Sequence, residues 1–393
     1  MLSEEEALDR ILAKVSPRPA RIVPVWQSIG TFSARSYTAR IALPVFDNSA
    51  MDGYAIAADD GAKGTRLRVS GEQPAGKDRD LKVSQGEAVR IFTGAPIPRG
   101  VDAVVMQEDV TREGNHIVIN EEVESGEFIR RRGCDLAEGQ EIIQAGQRLE
   151  PLSAALLGSQ GFTEVEVGGE VTACVISTGD EIVEPGAELA PGQIYDSNSV
   201  LLSGLLERTG VRILYRGPCP DDRDALMKAM EKSKSASTLI LSGGVSVGAH
   251  DLVQDCLRDL GGTIDVWRVA VKPGKPFLFG HLGETAVFGL PGNPVSAFVT
   301  YLRLVRPALL KMMGANEKAR DLTRVQAKTT QDLANDGDRV HYLRGRYECG
   351  EFVPVGRQES HALFGLSRSN ALARVDTGET IKAGQTVTVD LWE

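Results

Sequence analysis

The sequence predicts a multidomain protein built around a central three-layer α/β domain with a mainly parallel sheet. From residue 171 onward, short apolar runs alternate with segments of helical length, as expected when helices cover both faces of parallel strands. At residues 46–135 and beyond residue 320, short β-rich runs are instead broken by glycine and proline. With 393 residues, the chain is also too long for one ordinary core, so we expect two to four domains.

The chain begins with a short amphipathic helix at residues 4–15, because its apolar residues recur at helical spacing. Ala7, Leu8, Ile11, Leu12 and Val15 share one face. Residues 46–135 change character, with runs such as LRVS, AVRIF and DAVVMQ separated by GEQPAG and GAPIPRG. These patterns predict a small β domain inserted between elements of a mixed domain.

The central α/β region begins with the apolar run VTACVIS, which is typical of a strand covered on both faces. The helix SNSVLLSGLLERTG follows, with Ser197 or Asn198 as a candidate cap and Gly210 as its stop. Further strands are predicted at VRILYRG, TLILSG, PFLFG and TAVFGL. Further helices are predicted at DDRDALMKAMEKS, from Asp251, and at VSAFVTYLRLVRPALLKMMG. The β pattern then returns, up to the final TIKAGQTVTVDLW.

Composition excludes several classes of protein. The formal net charge of −10 argues against general binding to nucleic acid or to an anionic membrane. The five cysteines are scattered and never spaced C-x-x-C, so neither a disulfide framework nor a zinc site is indicated. The acidic start lacks a signal peptide, and no apolar run approaches the roughly 20 residues that span a bilayer. We expect a soluble cytoplasmic protein.

Unusual residues follow the predicted central strands, where open α/β sheets bind their ligands. They occur in four loops, at 177–181 (STGDE), 220–222 (PDD), 242–248 (SGGVSVG) and 290–294 (LPGNP). The glycines of SGGVSVG let backbone N–H groups approach an anion, which indicates a phosphate or pyrophosphate cradle rather than a simple turn. The same loop matches G-x-S-x-G, so a hydrolase built on Ser246 is an alternative. Its two extra glycines and delayed helix suit a ligand loop better.

Charged residues complete the candidate site. Lys272 and Lys275 stand on the turn KPGKP and suit phosphate binding, although they could be surface lysines; no Walker A or G-x-G-x-x-G motif occurs. Carboxylates that converge beside phosphates usually bind Mg²⁺, although Asp221 and Asp251 could equally cap helices. The candidate acidic residues are Asp52, Asp135, Glu181, Asp221 and Asp251. The run at 130–132 (RRR) is either an anion contact or a solvated turn.

Taken together, these motifs resemble a known family. FDNSAMDGYA at 46–55 is followed in order by RIFTGAPIP, RRRGCD, STGDE, GQIYDSN, SGGVSVGAHD, KPGKPF and GLPGNPVSA. This series is similar to the molybdopterin molybdenumtransferases, the family of bacterial MoeA and the gephyrin E domain, over almost the whole chain. The resemblance implies an elongated four-domain homodimer: a discontinuous helical/β domain (1–45 plus 136–170), an inserted β domain (46–135), a molybdenum cofactor-binding α/β domain (171–316) and a C-terminal β barrel (317–393).

The resemblance also implies a reaction. Adenylated molybdopterin and molybdate bind with Mg²⁺, molybdenum is transferred to the dithiolene sulfurs, and AMP and molybdenum cofactor are released. No second adenylylating domain is present, so an adenylyltransferase should supply the substrate and molybdoenzymes or their chaperones should receive the product. The alternatives are the adenylyltransferase itself and a gephyrin-like scaffold without catalysis.

Site residues follow from the resemblance, motif by motif. The implied catalytic residues are Asp52, Glu181, Asp221, Asp251, Lys272 and Lys275, of which the four carboxylates also look like the Mg²⁺ and molybdate site. The implied cofactor-binding residues are Thr93, Asp135, Ser242, Gly243, Gly244, Ser246, Gly248, Arg268, Pro291, Pro294, Arg344 and Ser360. Asp52, Thr93 and Asp135 are expected to face the sheet of the partner subunit. Arg268 stands where many members have lysine, which leaves its role open.

Overall fold

The computed structural model describes residues 1–245 and 252–392. Its contacts divide the chain into two compact units. The first comprises Met1–Arg35, Ala145–Ala155 and Thr163–Glu393, and the second comprises Ser36–Gln144 and Leu156–Phe162. The domain boundaries proposed from the sequence stay a prediction.

A six-stranded mixed sheet forms the centre of the first unit. Its strands are β1 (Thr172–Thr178), β2 (Arg212–Cys219), β3 (Thr238–Ser242), β4 (Thr263–Trp267), β5 (Leu278–Leu282) and β6 (Thr285–Leu290). The spatial order is β2-β1-β3-β6-β5-β4; the first four are parallel, whereas β5 runs antiparallel to both of its neighbours, β6 and β4. The mainly parallel sheet is confirmed. Ser177 pairs with Ser242, which pairs with Leu290, so three strands end side by side.

Helices cover both faces of this sheet, which makes three layers. One face packs against Glu4–Lys14, Ser197–Thr209 and the helical stretch from Pro294 to Met312, and the other against Arg223–Lys232 and Leu252–Asp259. Each layer fits the apolar periodicity of its sequence. The helix at Glu4–Lys14 begins with a capping box of Ser3 and Glu6, as the acidic, amphipathic start predicts.

The helix Ser197–Thr209 corrects one prediction. Its N-cap is Asp196, not Ser197 or Asn198. Asp196 Oδ1 accepts hydrogen bonds from the Ser199 N–H and from the Ser177 hydroxyl, both at 2.9 Å, so a contact with strand β1 fixes the cap. Gly210 does end the helix, in the left-handed conformation that favours glycine.

A closed five-stranded barrel follows at the carboxyl end of the chain, and it confirms the predicted C-terminal β barrel. Its strands are β7 (Thr323–Thr329), β8 (Val340–Glu348), β9 (Glu351–Pro354), β10 (Ala371–Val375) and β11 (Thr386–Leu391). The order β8-β9-β7-β11-β10 closes because β10 pairs again with β8. The short strand Val271–Lys272 joins β8 in parallel and places Lys272 opposite His341.

The second unit contains another six-stranded sheet. In spatial order its strands are Ala103–Met106, Gly53–Ile56, Glu87–Ile91, Arg66–Gln73, His116–Ile119 and Val110–Glu113. Alternating apolar residues such as Leu67, Ile117 and Ile119 form its core. All six strands lie in the stretch predicted to form an inserted β domain.

Short elements complete the described chain. Five small strand pairs join Arg21–Pro24 to Glu164–Val167, Tyr37–Thr38 to Glu141–Ile143, Asn48–Ser49 to Ile129–Arg130, Ile182–Val183 to Ile194–Tyr195, and Leu333–Ala334 to Thr380–Ile381. The remaining helices are Pro151–Ser159, Glu317–Arg320 and Leu363–Ser367, with 3-10 turns at Val25–Gln27, Ala58–Asp60, Gln107–Asp109 and Ser233–Ser235. In residues 1–245 and 252–392, every helix is too short or too polar to traverse a lipid bilayer.

Candidate functional site

A cavity of about 740 Å³ lies where strands β1, β3 and β6 end, between the α/β sheet and the barrel. All four strand-end loops singled out in the sequence contribute to its wall. The predicted residues that line it are Glu181, Asp221, Ser242, Gly243, Gly244, Lys272, Lys275, Pro291 and Ser360. Residues from distant stretches of the chain therefore converge on one space.

The glycine loop after β3 passes close to the end of β1. Gly243 has φ +94°, and a Cβ on it would lie 2.6 Å from the carbonyl oxygen of Thr178. Gly244 has φ +63°, and its Cβ would lie 2.9 Å from Thr178 Oγ1. Any side chain here would be strained and would clash, so only glycine lets the backbone form this part of the wall.

The acidic side of the cavity is formed by the loops after β1 and β2. Asp222, not Asp221, caps the helix Arg223–Lys232, because its carboxylate accepts the Ala225 N–H at 2.8 Å. Asp221 lines the cavity, and its own N–H donates to Asp180 Oδ1 at 3.0 Å. Glu181 folds beneath Gly179, where a Cβ would lie 2.6 Å from Glu181 Oε2. The capping role proposed for Asp221 thus belongs to its neighbour.

Cations line another part of the wall. Lys272 and Lys275 are joined there by Arg339, which the sequence analysis did not single out. The Arg339 Nη1 group donates to the Val271 carbonyl at 3.1 Å, which fixes the guanidinium beside the lysine turn. The cavity therefore offers three positively charged side chains to a bound anion, of which Arg339 also pairs with Asp338 at 3.2 Å.

His341 is a second residue that sequence reasoning missed. It lines the cavity, is only 7% exposed, and its buried Nδ1 has no hydrogen-bond partner in the described part of the chain. Burial, reinforced by the charges of Lys272 and Arg339, lowers the pKa of His341 from 6.5 to about 4. The imidazole is therefore neutral at physiological pH. Its only signal in the sequence is a histidine on a barrel strand, which is not specific.

Two asparagines hold the loops in place. Asn198 Nδ2 donates to Ser242 Oγ at 2.8 Å and to the Gly292 carbonyl at 2.7 Å. Asn293 Nδ2 donates to Ser360 Oγ at 2.9 Å, which ties the loop after β6 to the barrel. These bonds make the wall of the cavity a connected polar network.

Three predicted residues lie outside the described lining of the cavity. Arg344 is buried behind Gln358 and Glu359; its Nη1 donates weakly to the Glu359 carbonyl at 3.4 Å, while Nε and Nη2 have no partner among the described residues. Burial lowers the pKa of Arg344. Arg268 has φ +60° and lies 5.4 Å from the Trp267 ring, and Pro294 begins the next helix.

Three further predicted residues, Asp52, Thr93 and Asp135, belong to the second unit. The Thr93 N–H and hydroxyl both donate to Asp52 Oδ1 at 2.8 Å, and these bonds lower the pKa of Asp52. Asp135 is exposed, and its N–H donates to the Leu43 carbonyl at 3.0 Å. In the run 130–132, Arg131 and Arg132 form ion pairs with Asp47 and Glu138.

The predicted metal site and glycine loop lie only partly within the described residues. Ser246, Gly248 and Asp251 lie outside the described residues. Within residues 1–245 and 252–392, no three His, Cys, Asp or Glu side chains are grouped so as to hold a metal ion by themselves. Of the four predicted metal ligands, Glu181 and Asp221 line the cavity.

Three family models match this chain in sequence order: the MoeA N-terminal region (domain I and II) at residues 2–161, a probable molybdopterin binding domain at 174–311, and the MoeA C-terminal region (domain IV) at 326–392. The molybdopterin molybdenumtransferase of Haemophilus influenzae is 36% identical over 99% of this chain and 98% of its own. The chain belongs to the molybdopterin molybdenumtransferase family. A Nostoc member is 34% identical over 95% of this chain and 89% of its own.

The fold agrees with this molybdopterin molybdenumtransferase assignment. The crystal structure of a molybdopterin biosynthesis MoeA protein from Pyrococcus horikoshii superposes with a TM-score of 0.87 at 30% identity, and covers 100% of both chains. In this chain, the strand-end loops of the cavity fall within the matched molybdopterin binding domain. Arg339, His341 and Ser360 fall within the matched C-terminal region.

Proposed function

We propose that this enzyme inserts molybdenum from molybdate into adenylated molybdopterin and releases AMP and molybdenum cofactor. The observation that carries the proposal is the cavity at the ends of β1, β3 and β6, where carboxylates and cations face one space. Full-length similarity to proteins named molybdopterin molybdenumtransferase gives the reaction class.

The substrates explain the mixture of charges. Molybdate and the phosphates of an adenylated pterin are all anions, and two like unit charges 4 Å apart repel by about 4 kcal/mol at an effective dielectric constant near 20. Lys272, Lys275 and Arg339 offset this repulsion from the protein side. The neutral His341 beside them can hydrogen-bond a bound ligand through its unpartnered Nδ1 without adding charge. The cavity is thereby suited to hold two anions side by side.

Mg²⁺ fits the donor set on the acidic side. Mg²⁺ prefers oxygen ligands and is usually bound by one or two carboxylates together with waters and substrate phosphates. Glu181 and Asp221 supply such carboxylates, with Asp52 and Asp251 as the further ligands that the family resemblance implies. When bound, Mg²⁺ neutralises phosphate charge and polarises the phosphoanhydride whose cleavage releases AMP.

The glycine loop is suited to bind the phosphates of the substrate. Gly243 and Gly244 bring the backbone to the cavity without side chains, so their N–H groups can approach an anion closely. Ser242, held by Asn198, fixes the start of the loop. No protein nucleophile is needed for this reaction.

The proposal includes a cytoplasmic homodimer in which each cavity is completed by the partner subunit. Asp52 and Thr93 form an exposed, hydrogen-bonded pair in the second unit and have no role in the core of that unit. The family resemblance assigns this pair and Asp135 to the partner's cavity.

The test is an AMP-release assay with purified protein. Adenylated molybdopterin should yield AMP and molybdenum cofactor only when molybdate and Mg²⁺ are both present. Lys272→Met should weaken apparent substrate affinity about tenfold or more, since it removes a charge-assisted contact to an anion. Lys228→Met, on an exposed helix position, is the matched control and should behave as wild type.

The same assay separates the alternatives. Pyrophosphate release from molybdopterin and Mg-ATP would identify an adenylyltransferase instead. Absence of both reactions, with no binding of molybdate or AMP in calorimetry, would indicate a scaffold.

A further inference from the structure

A second cavity, of about 260 Å³, lies away from the candidate site and contains an excess of arginine. Arg148, Arg208 and Arg306 line it together with Tyr301, Asp321 and Trp392, and we name it the arginine pocket. All of these residues belong to the first compact unit. Nothing in the proposed reaction uses them.

The helix Ser197–Thr209 shows that the two cavities are separate. Asn198, in its first turn, lines the large cavity, and Thr209, its last residue, lines the arginine pocket. At 1.5 Å per residue these positions are about 16 Å apart along the helix axis. A ligand in one cavity therefore does not occupy the other.

The arginine pocket carries more positive than negative charge. Asp321 is the acidic residue among its described lining residues, against three arginines. In the described part of the chain, neither Arg208 nor Arg306 forms a salt bridge with a carboxylate. Arg306 Nη1 donates to the Arg320 carbonyl at 2.7 Å. Arg148 Nε lies 3.2 Å from Glu150 Oε1 but forms no hydrogen bond there.

Burial and the neighbouring charge of Arg148 both lower the pKa of Arg306, whereas Tyr301 and Asp321 oppose this effect. Two guanidinium groups held close together with incomplete neutralisation are stabilised by an anion between them. The charge balance of the pocket thus favours a negatively charged occupant.

An irregular helical turn places Tyr301 and Arg306 on the same side of their helix. Tyr301–Val305 forms a π turn in which the Arg306 N–H donates to the Tyr301 carbonyl, five residues back. In a regular α-helix, positions 301 and 306 would point about 140° apart, whereas the wider π turn brings them toward one side. Tyr301 and Arg306 consequently line the same pocket. Such turns are frequent at functional sites.

The remaining wall of the pocket is apolar, so an anion bound there would also have an apolar group in contact with this wall. Leu205, Leu302, Leu310 and Leu391 surround the pocket with Trp392, whose ring packs 4.9 Å from that of Phe298. The volume lies below the roughly 300–1,000 Å³ of drug-sized sites, which restricts the occupant to a small molecule.

We infer that the arginine pocket is a second anion-binding site, which takes a small phosphate monoester that carries an apolar group. The forks of Arg148, Arg208 and Arg306 hold the phosphate. The leucines and Trp392 hold the apolar group. This inference is independent of the proposed reaction, because it uses none of the residues of the large cavity.

Calorimetric titration with phenyl phosphate tests the inference. The full-length Lys272→Met/Lys275→Met variant is used as background, so that anion binding in the large cavity is weakened. We expect one phenyl phosphate per chain, and binding weakened about tenfold or more by the further change Arg208→Gln. Arg208 is exposed, so this variant should fold, and its thermal unfolding curve without ligand checks this.

Two comparisons complete the experiment. In the otherwise native protein, Arg208→Gln should leave AMP release unchanged, and Arg212→Gln, an exposed arginine outside the pocket, should leave phenyl phosphate binding unchanged. The inference is overturned if the background variant binds no phenyl phosphate, or if Arg208→Gln and Arg306→Met both bind it as tightly as the background.

Discussion

Glu181 and Asp221 are acidic side chains in a cavity that is also lined by lysines. A site that binds only anions would not contain carboxylates, because they repel the ligand. Both line the large cavity, and the capping role that would explain Asp221 is taken by Asp222. Carboxylates beside Lys272 and Lys275 make chemical sense when a divalent cation joins the bound phosphates. At the scale of single residues, the proposed metal site therefore depends on these two carboxylates.

Glu181→Gln should lower the rate of AMP release by about 10- to 100-fold, because changes around metal-binding residues typically cost this much. The amide keeps the size of the side chain and removes its charge. Glu184→Gln is the matched control, since Glu184 is an exposed acid in the same loop and outside the cavity lining. The assignment would be contradicted if both variants kept wild-type rates over a full titration with Mg²⁺.

His341 predicts a pH effect on stability. Its pKa falls from 6.5 in the unfolded chain to about 4 in the folded protein, so between these values the unfolded chain binds the extra proton. The contribution of His341 to stability is thus present above pH 6.5 and is lost as pH falls toward 4. Urea unfolding at pH 7 and pH 5 should show a smaller loss for His341→Gln than for wild type. Equal losses would mean that His341 is not buried in its neutral form.

At the scale of elements, the alignment of strand ends positions the site. Ser177, Ser242 and Leu290 lie side by side at the ends of β1, β3 and β6, and the loops that follow form the wall. The sequence predicts this part well, because buried parallel strands are continuous apolar runs and their loops carry glycine, proline and charge. It missed β4, a short edge strand with Asp265 at its centre.

The cap of the helix Ser197–Thr209 shows why some local details were wrong. Ser197 and Asn198 are both good caps in isolation, but Asp196 is held by the Ser177 hydroxyl of a strand distant in sequence. Asn198 instead bonds Ser242 and Gly292 in the cavity wall. Tertiary contacts thus redistribute the roles of neighbouring polar residues.

Two glycines with different surroundings test whether the loop after β3 requires glycine for steric reasons. Gly243→Ala should destabilise the protein by about 1–3 kcal/mol, because its φ is +94° and its Cβ would lie 2.6 Å from a carbonyl oxygen. Gly204→Ala, inside the helix Ser197–Thr209 with open space around it, should stabilise by about 0.5–1 kcal/mol. Urea denaturation measures both. Equal effects of the two substitutions would disprove the steric argument.

At the scale of the whole molecule, long-range contacts decide what the sequence could not show. Arg339 and His341 reach the cavity because Val271–Lys272 pairs with the start of barrel strand β8. Arg303 joins Glu4 and Asp390, from opposite ends of the chain, in one buried ion network. No local sequence pattern predicts such pairings. The ordered motifs, by contrast, were sufficient to predict the family and the fold.

The proposed intersubunit site has a direct test at this scale. Asp52→Ala and Glu181→Ala homodimers should each be inactive. Mixing the two chains under conditions that allow subunit exchange should restore up to about half of the activity per mixed dimer, because one of its two cavities then receives Asp52 and Glu181 intact. Size-exclusion chromatography confirms the dimer. If mixed dimers form and no activity returns, each cavity is built by a single subunit.

The most direct test of the central claim is a crystal soaked with molybdate, Mg²⁺ and AMP, with molybdenum located by its anomalous scattering. We predict a molybdenum peak in the large cavity near Lys272 and Lys275, with the AMP phosphate beside Glu181 and Asp221. Molybdenum bound at an unrelated surface, with the cavity filled only by water, would contradict the proposed site.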